Sequence, residues 1–353
     1  MSRQTLWPSR EAVRRTKKVG LDGSAAAEPR RRSTVDDLGL FCGNANEPLA
    51  RAIALEMGVR LGDMHVRSFE DGEIGVKINV SARGLDVFIV QPTCRPVNQN
   101  LMELLIMIDA FRRASARRIT AVLPYYGYAR QDKKVKPREP ITARLIANLI
   151  TIAGANRALC LDLHAGQIQG FFDIPVDHLA AGPLMGNALQ KRGLAGDAIT
   201  VVSPDVGGVA RARSLAEQLQ SPLAIITKRR PEANRVEVLE VVGNVAGRVC
   251  VLADDIIDTG GSITEGAAKL LELGAREVHA CCTHGVLSGD ALEKIERSPL
   301  VSMIVTDTIP LPPDRPKGKV QVISVAKLLA AAIECINRDA SVSSLFEESA
   351  RFA

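Results

Sequence analysis

Short runs of apolar residues alternate along the chain with longer segments whose apolar residues recur every three or four positions. The continuous runs predict buried strands, and the longer spacing predicts helices with one buried face. The helix predicted over 98–113, for example, places Leu101, Leu104 and Ile108 on one side. Strands that alternate with helices are typical of parallel sheets flanked by helices, so we expect an α/β fold.

The alternation occurs twice along the chain. Predicted strands cover 85–91, 119–123, 199–203, 223–227, 248–254, 276–283, 300–305 and 320–323. Predicted helices cover 98–113, 140–154, 208–219, 261–273 and 326–337. We therefore predict two related α/β domains, over 37–180 and 181–340, followed by a C-terminal tail over 341–353.

Charge sets the first 36 residues apart from the rest. Residues 1–35 carry nine Lys or Arg and three Asp or Glu, a net +6, whereas the whole chain carries +5, which leaves −1 for the remainder. The segment lacks the apolar stretch of a secretory signal, and we predict that 1–36 is a disordered basic extension. A nucleic-acid-binding function would depend on this segment alone.

Composition narrows the class of protein further. Hydrophobic residues make up 46% and charged residues 24%, as in ordinary globular domains. No apolar run approaches the roughly 18 residues of a membrane-spanning helix. The odd number of cysteines, 7, predicts free thiols in a reducing compartment, so we expect a cytoplasmic protein.

The strongest motif is VCVLADDIIDTGGS at 249–262. An apolar strand ends in Asp254 and Asp255, and a glycine-rich turn opens the next helix. Ligands of open α/β sheets bind beyond the carboxyl ends of the strands, and the start of a helix offers backbone N–H groups to a phosphate. The motif therefore predicts a phosphate site at the start of the helix, with Asp254 and Asp255 placed to hold sugar hydroxyls or a phosphate-bound cation. A capped helix with Asp258 as a turn residue is the structural alternative. No GxxxxGK[ST] motif is present.

Two further motifs follow predicted strands of the first half. YARQDKK at 128–134 brings together Arg130, Lys133 and Lys134, either as a phosphate site or as a solvated charged loop. In CLDLHAGQIQGFFD at 160–173, Asp162 and His164 share one face if the strand continues through them. Imidazole and carboxylate are plausible ligands of a divalent cation, although a lone histidine at a strand end is more often structural.

The second half adds two motifs. VSPDVGG at 202–208 repeats the strand, acid and glycine order and makes Asp205 a second candidate oxygen ligand. KRRPEAN at 228–234 is either a solvated hairpin connection or a cationic loop that closes over phosphates. His279, Cys281, Cys282 and His284 fall along a predicted strand, where neighbours face opposite sides, so we interpret them as core residues.

These motifs, with FEDGE at 69–73 and NLMELLIMIDA at 100–110, resemble the ribose-phosphate pyrophosphokinase (PRPP synthetase) family in its phosphate-activated class I. The resemblance extends from about residue 40 to 346, with the motifs in family order. DDIIDTGGS alone fits any type I phosphoribosyltransferase, whereas YARQDKK together with DLHAGQIQGFFD is far more specific. The resemblance implies two phosphoribosyltransferase-like, Rossmann-like domains and an enzyme that transfers the β,γ-pyrophosphoryl group of ATP to the 1-hydroxyl of ribose 5-phosphate, which gives PRPP and AMP for nucleotide biosynthesis.

The resemblance also implies residue roles. The ATP-binding residues would be Phe69, Asp71, Gly72, Glu73, Arg130 and Gln131, with those of the FEDGE segment supplied to a neighbouring subunit. The Mg²⁺ ligands would be His164 and Asp205. The ribose 5-phosphate site would comprise Arg230, Asp254, Asp255, Asp258, Thr259, Gly260, Gly261 and Ser262, where many relatives have threonine at 262. The catalytic cations would be Lys228 and Arg230.

Regulation and assembly follow from the same resemblance. The family is activated by phosphate and inhibited by ADP at a subunit interface, and the matching residues are Ser81, Arg83, Ser115, Ser341 and Ser343. We expect a homo-oligomer, most simply a hexamer, with no nucleic-acid or membrane partner. Two alternatives are a PRPP-consuming phosphoribosyltransferase, which leaves YARQDKK and KRRPEAN unexplained, and a non-catalytic regulatory paralogue, which would have lost active-site residues.

Overall fold

The computed structural model describes residues 37–229, 238–312, 318–343 and 345, without the side chains of Lys228, Arg229 and Val238. The predicted extension over 1–36 and most of the predicted tail lie outside the described residues. Described strands are β1 Leu38–Cys42, β2 Met64–Ser68, β3 Ile74–Ile78, β4 Asp86–Val90, β5 Arg118–Leu123, β6 Arg157–Leu161, β7 Val176–Leu179, β8 Ile199–Ser203, β9 Leu223–Arg229, β10 Val238–Val242, β11 Val249–Ile257, β12 Glu277–Gly285, β13 Ser302–Thr306 and β14 Val320–Ile323. Described helices are α1 Glu47–Glu56, α2 Val97–Arg113, α3 Thr142–Ala153, α4 Gly182–Gln190, α5 Val209–Gln218, α6 Gly261–Glu272, α7 Ala291–Arg297 and α8 Ala326–Asn337, with a 3₁₀ helix at Gly166–Phe171.

The described strands form two large sheets and one hairpin. The first sheet has five parallel strands in the order β1-β4-β5-β6-β7, and the second has seven in the order β10-β9-β8-β11-β12-β13-β14. Every pair in the second sheet is parallel except β9 with β10. Strands β2 and β3 pair as a separate antiparallel hairpin. The α/β fold with parallel sheets is confirmed.

The sequence pattern located the buried elements best. The strands β8 and β14 and the helix α8 lie at their predicted bounds. Strand β8 is buried along its whole length and α8 has one apolar face, whereas β14 is an edge strand with two exposed residues. The pattern missed β2 and β3, whose side chains are mostly part-buried or exposed and give no apolar run. It also missed β10, which pairs with only one strand at the edge of its sheet.

The closing helix α8 packs on the first sheet, although it follows the last strand of the second. Its buried residues Leu329, Ala332 and Ile333 share an apolar core with Leu40 of β1 and Phe88 of β4. This packing shows that a helix from the second half of the chain covers one face of the first sheet. The division of the chain into domains at 180 and 181 stays a prediction.

A buried polar cluster joins α8 to β4 and β5. The carboxylate of Asp86 is fully buried. It accepts a hydrogen bond at 2.8 Å from Nε of Arg118, a second from the same guanidinium, and one at 2.9 Å from Asn337. Arg118 also pairs with Asp339 at 2.8 Å. We call Asp86, Arg118 and Asn337 the helix anchor.

Two expectations about chemistry are met. All seven cysteines are free thiols, as predicted. His279, Cys281, Cys282 and His284 are buried along β12, which confirms that they are core residues. Among the described residues, no helix has both the length and the apolar character to span a membrane.

Candidate active site

The predicted site residues gather where loops at the carboxyl ends of both sheets meet. The first sheet contributes the loop after β5, with Arg130, and the turn after β6, with His164. The second contributes the turn after β8 and the end of β11 with its following loop. Charged side chains of loops from the two sheets are in direct contact here, His164 with Asp255 and Arg130 with Asp258.

His164 lies against Asp255. Its Nδ1 is 2.8 Å from Oδ2 of Asp255, a residue 91 positions later in the chain. The carboxylate is almost fully buried, whereas the imidazole is 38% exposed. The hydrogen bond to Asp255 raises the pKa of His164 more than partial burial lowers it. Because Nδ1 is hydrogen-bonded to the carboxylate, Nε2 is the ring nitrogen that is free to bind a ligand.

The expectation that one strand carries Asp162 and His164 on the same face is wrong. Strand β6 ends at Leu161, and Asp162 has a φ of 39°, in the left-handed region. The turn is fixed by β7, since Leu163 N donates to Nε2 of His178 at 2.8 Å. The carboxylate of Asp162 accepts from Ala181 N at 3.1 Å and from the Thr283 hydroxyl. It therefore faces protein groups, while His164 faces Asp255.

The acid pair at the end of β11 is held by a cation that the motifs did not single out. Arg211 on α5 lies 3.1 Å from Oδ1 of Asp255 and 3.7 Å from Oδ1 of Asp254. Burial would raise the pKa of Asp255, but the bonds with His164 and Arg211 lower it well below its usual range. Burial and the neighbouring carboxylate raise the pKa of Asp254 to about 8. Asp255 is thus the stronger acid of the pair.

Arg130 makes the second contact between the halves. Its guanidinium lies 2.7 Å from Oδ2 of Asp258, and the arginine is half exposed. The pKa of Asp258 is lowered overall, because the hydrogen bonds from Ser288 and Arg130 outweigh the rise that burial causes. Gln131 lies beside the start of α3, where its carbonyl accepts from Ala143 N at 3.2 Å. The YARQDKK loop therefore reaches the DDIIDTGGS loop.

The TGGS turn forms the start of α6. Gly260 has a φ of 75°, which a residue with a side chain adopts only with strain, and α6 begins at Gly261. Thr264 N donates back to the Gly260 carbonyl at 3.1 Å and closes the first turn. The earlier N–H groups of the helix have no intrahelical acceptor, so this turn offers them to an anion. Thr259 and Ser262 are exposed beside it.

The other predicted residues of the second half lie at related positions. Asp205 is in the turn after β8, where its Oδ1 accepts from Gly208 N at 2.8 Å and the rest of the residue is exposed. Lys228 is on β9 opposite Leu239 of β10. Strands β9 and β10 pair antiparallel, and residues 230–237 between them lie outside the described residues. Arg230 lies outside the described residues.

The FEDGE segment forms the tip of the hairpin between β2 and β3. Phe69 N donates to the Glu73 carbonyl at 2.7 Å, and Asp71 accepts from Glu73 N at 3.0 Å. Asp71 and Gly72 are in the turn and not on a strand. The Phe69 ring is 45% exposed and stacks under the Arg67 guanidinium at 4.8 Å.

The predicted regulatory residues lie on three segments that approach one another. Gly84 N donates to the Ser115 carbonyl at 2.9 Å, which joins the segment of Ser81 and Arg83 to that of Ser115. Through the helix anchor, Arg118 reaches Asp339, just before Ser341 and Ser343. Ser343 N donates to Ser341 Oγ at 3.2 Å. The fold brings these segments together.

The donor chemistry of the site fits a hard divalent cation that is bound mainly by substrate oxygens. The described part of the chain contains no group of three or more histidine, cysteine or acidic side chains arranged to hold a metal by themselves. Mg²⁺ commonly uses one or two protein ligands together with phosphate oxygens and water. The exposed carboxylate of Asp205 and the part-exposed His164 suit that mode of binding.

Sequence reasoning missed Arg211, Thr283 and His284. The only local signal for Arg211 was a cation in the first turn of the helix after SPDVGG. Thr283 and His284 gave the signal of a buried strand, and only the packing of the two sheets brings them to Asp162.

Parallel sheets, an acid pair at a strand end and a TGGS turn at a helix start define a phosphoribosyltransferase-type α/β protein. Two family models match the chain, the "N-terminal domain of ribose phosphate pyrophosphokinase" over 38–154 and the "Phosphoribosyl synthetase-associated domain" over 228–347. A ribose-phosphate pyrophosphokinase of Caldanaerobacter subterraneus subsp. tengcongensis is 55% identical over 311 residues, which is 88% of this chain and 98% of that protein. That of Listeria ivanovii is 56% identical over 88% of this chain and 97% of its own length.

A solved structure agrees with these matches. The phosphoribosylpyrophosphate synthetase of Mycobacterium smegmatis superposes with a TM-score of 0.82 at 45% identity, over 86% of this chain and 99% of its own. The chain belongs to the ribose-phosphate pyrophosphokinase family, and it is an enzyme with the synthetase activity of that family.

Proposed function

We propose that the enzyme binds ATP on loops of the first half and ribose 5-phosphate on loops of the second, and transfers the β,γ-pyrophosphoryl group as one unit to the 1-hydroxyl of the sugar. The observation that carries this assignment is the pair of contacts His164–Asp255 and Arg130–Asp258, which join the two sets of loops. Two substrates held on opposite sides of such contacts meet with their reacting groups adjacent, which lowers the entropic cost of reaction.

The first half supplies the ATP contacts. Arg130 and Gln131 lie beside the sugar-side loop and bind the polyphosphate, since a guanidinium pairs well with phosphate oxygens. Phe69, Asp71, Gly72 and Glu73 form an exposed hairpin tip, and an exposed ring and acids fit a role on the nucleotide of a neighbouring subunit. This role requires more than one copy of the chain, and the assembly that we propose is a homo-oligomer, specifically a hexamer.

The second half supplies the sugar-phosphate contacts. The N–H groups at Gly260, Gly261 and Ser262, with the Thr259 hydroxyl, bind the 5-phosphate. Asp254 and Asp255 bind the ribose hydroxyls, for which carboxyl oxygens are good acceptors. Asp258 is held by Arg130, so occupancy of the sugar site and the position of the ATP loop are linked.

Mg²⁺ is the cofactor that we propose, held by His164 and Asp205 together with phosphate oxygens. When bound, it neutralises charge on the polyphosphate. The chain's own groups do the remaining work: Asp255 orients the imidazole of His164 through Nδ1, and Arg211 fixes Asp255 in turn.

Lys228 and Arg230 stabilise charge on the transferred group. Pyrophosphoryl transfer depends on positioning and charge neutralisation more than on covalent participation of the protein. Lys228 is at the end of a strand that leads into the KRRPEAN segment, where a cation can approach the transferred group. Arg230 also contacts ribose 5-phosphate.

Regulation and location are part of the same proposal. Phosphate activates and ADP inhibits at a site lined by Ser81, Arg83, Ser115, Ser341 and Ser343, whose segments lie together in the fold. The free cysteines fit a cytoplasmic enzyme that acts in nucleotide biosynthesis.

The test is product identification with ATP labelled at the β-phosphorus, ribose 5-phosphate, Mg²⁺ and phosphate. We expect AMP and PRPP in equal amounts, with the label in PRPP. Asp258→Asn should lose most of this activity, whereas the control Asp109→Asn, in an exposed pair with Arg113, should keep it. Stoichiometric ADP would refute pyrophosphoryl transfer.

A further inference from the structure

The two halves of the molecule are also joined by part-buried hydrogen bonds next to the site. The Thr283 hydroxyl donates to the Asp162 carboxylate, and His284 Nε2 donates to the Asp162 carbonyl at 3.1 Å. His284 Nδ1 accepts from the Thr308 hydroxyl at 3.0 Å. We call Asp162, Thr283, His284 and Thr308 the clasp.

The hydrogen bonds of the clasp specify its geometry. His284 is almost fully buried, and burial lowers its pKa, so the ring is neutral and carries its proton on Nε2. The Thr283 carbonyl accepts from the Thr306 hydroxyl at 2.6 Å, and the Thr308 hydroxyl lies 3.2 Å from that carbonyl and 3.0 Å from His284 Nδ1. A buried network in which each polar group has a partner holds one arrangement of the parts it joins.

The clasp is adjacent in the chain to the proposed site, because Asp162 is two residues before His164. Asp162 and His164 belong to the same turn, and they contact neighbouring strands of the second sheet, β12 and β11. In the register of these strands Asp254 is opposite Cys282 and Ile256 is opposite His284, so Thr283 and Asp255 are at the same level. The turn therefore contacts the second sheet at two adjacent points, one buried and one in the site.

The backbone of Asp162 supports this assignment. A non-glycine residue with a φ of 39° is strained and persists only where its surroundings hold it. Here Asp162 N donates to the Leu179 carbonyl at 2.9 Å, and the side chain accepts from Ala181 N and from Thr283. The left-handed backbone conformation at Asp162 changes the chain direction, so that Asp162 faces Thr283 and His164 faces Asp255.

We propose that the clasp is a positioning device, which holds the ATP-side loops and the sugar-side loops in the register that transfer requires. This inference rests on the proposed function, in which each half binds its own substrate. A loosened clasp leaves both binding sites intact and displaces them relative to each other. It therefore lowers the rate of transfer and not the affinity for either substrate.

Thr283→Val tests the proposal, because valine keeps the shape of threonine and removes only the hydroxyl. We expect kcat to fall by roughly 10- to 100-fold, with both Michaelis constants changed by less than about 3-fold. Thr283→Ser restores the hydroxyl and should recover most of the kcat.

The matched control is Thr200→Val. Thr200 is also fully buried on the second sheet, and its hydroxyl donates to the Asn244 carbonyl at 3.1 Å within the same half. Both valine variants lose one buried hydrogen bond and should show similar drops in melting temperature, but Thr200→Val should keep kcat within about 2-fold of the unchanged enzyme. If Thr283→Val fails to fold, Thr308→Val weakens the same clasp and should show the same loss of kcat with unchanged Michaelis constants.

The outcomes separate the two proposals. An unchanged enzyme that makes no PRPP from ATP and ribose 5-phosphate refutes the proposed function. An active enzyme in which Thr283→Val loses no more kcat than Thr200→Val, or in which a Michaelis constant rises and kcat does not fall, refutes the positioning role alone.

Discussion

Arg118→Met removes the charged partner of the helix anchor and should destabilise the fold strongly. Methionine keeps much of the side chain's length and volume, so the change is mainly in charge and hydrogen bonding. Asp86 is fully buried and accepts two hydrogen bonds from this guanidinium, so the variant leaves a buried carboxylate with Asn337 as its remaining partner in the anchor.

The magnitude follows from that burial. Breaking a buried ion pair by removing one partner costs about 3–5 kcal/mol, because the other charge stays desolvated. The matched control is Arg113→Met, whose pair with Asp109 has side chains 78% and 45% exposed, and such surface pairs contribute little because water screens them. The bond of Arg118 to the exposed Asp339 adds little to the difference.

The assay is urea unfolding followed by circular dichroism, with thermal melting as a second measure at equal protein concentrations. A loss of 3–5 kcal/mol corresponds to a melting temperature lowered by roughly 6–10 °C in a body of this size. The double variant Asp86→Asn with Arg118→Met should recover part of the loss, because it removes the buried charge as well. An Arg118→Met variant as stable as Arg113→Met would refute the view that this buried pair anchors α8.

Two further predictions concern the site. Lys228→Ala should lower turnover by about 10²–10³-fold and change the Michaelis constants only a few-fold, since the charge stabilisation that we propose for Lys228 acts mainly in the transition state. Steady-state kinetics check this prediction, and full turnover with a raised Michaelis constant for ATP would make Lys228 a binding residue instead. His164→Asn tests the raised pKa of His164. The hydrogen bond of the protonated ring to Asp255 contributes stability that is fully present below the ordinary histidine pKa of about 6.5. That stability is lost as the pH rises through the higher pKa of His164 in the folded state. Without substrates, the difference in free energy of unfolding between the two forms should therefore be larger near pH 5.5 than near pH 9, and a difference independent of pH would contradict the ion pair.

Local patterns predicted much of the fold because burial has a local signature. A strand such as β8 is buried along its whole length, and a helix such as α8 repeats apolar residues at the helical spacing, so each is visible within a window of several residues. The hairpin of β2 and β3 is half exposed, and the edge strand β10 adjoins a charged segment, so neither gave that signature.

The motifs likewise showed which chemistry is present and not how it is arranged. Oxygen-rich and glycine-rich turns after strands indicated a phosphate and sugar site, because the carboxyl ends of parallel strands share one edge of a sheet. The left-handed turn at Asp162 was not predictable from the alternation of faces along a strand, since it depends on acceptors and donors supplied by β7 and β12.

By itself the sequence determined the α/β class, the membership of the family, the candidate residues of the site and those elements that have a regular apolar pattern, since each of these depends on residues close together in the chain. Only the tertiary structure decided that His164 contacts Asp255 and that Arg130 contacts Asp258. It also decided that Arg211 pairs with the acids at the end of β11 and that α8 packs on the first sheet. These contacts join residues far apart in the chain, and their geometry depends on how two packed sheets fit against each other, which no local pattern encodes.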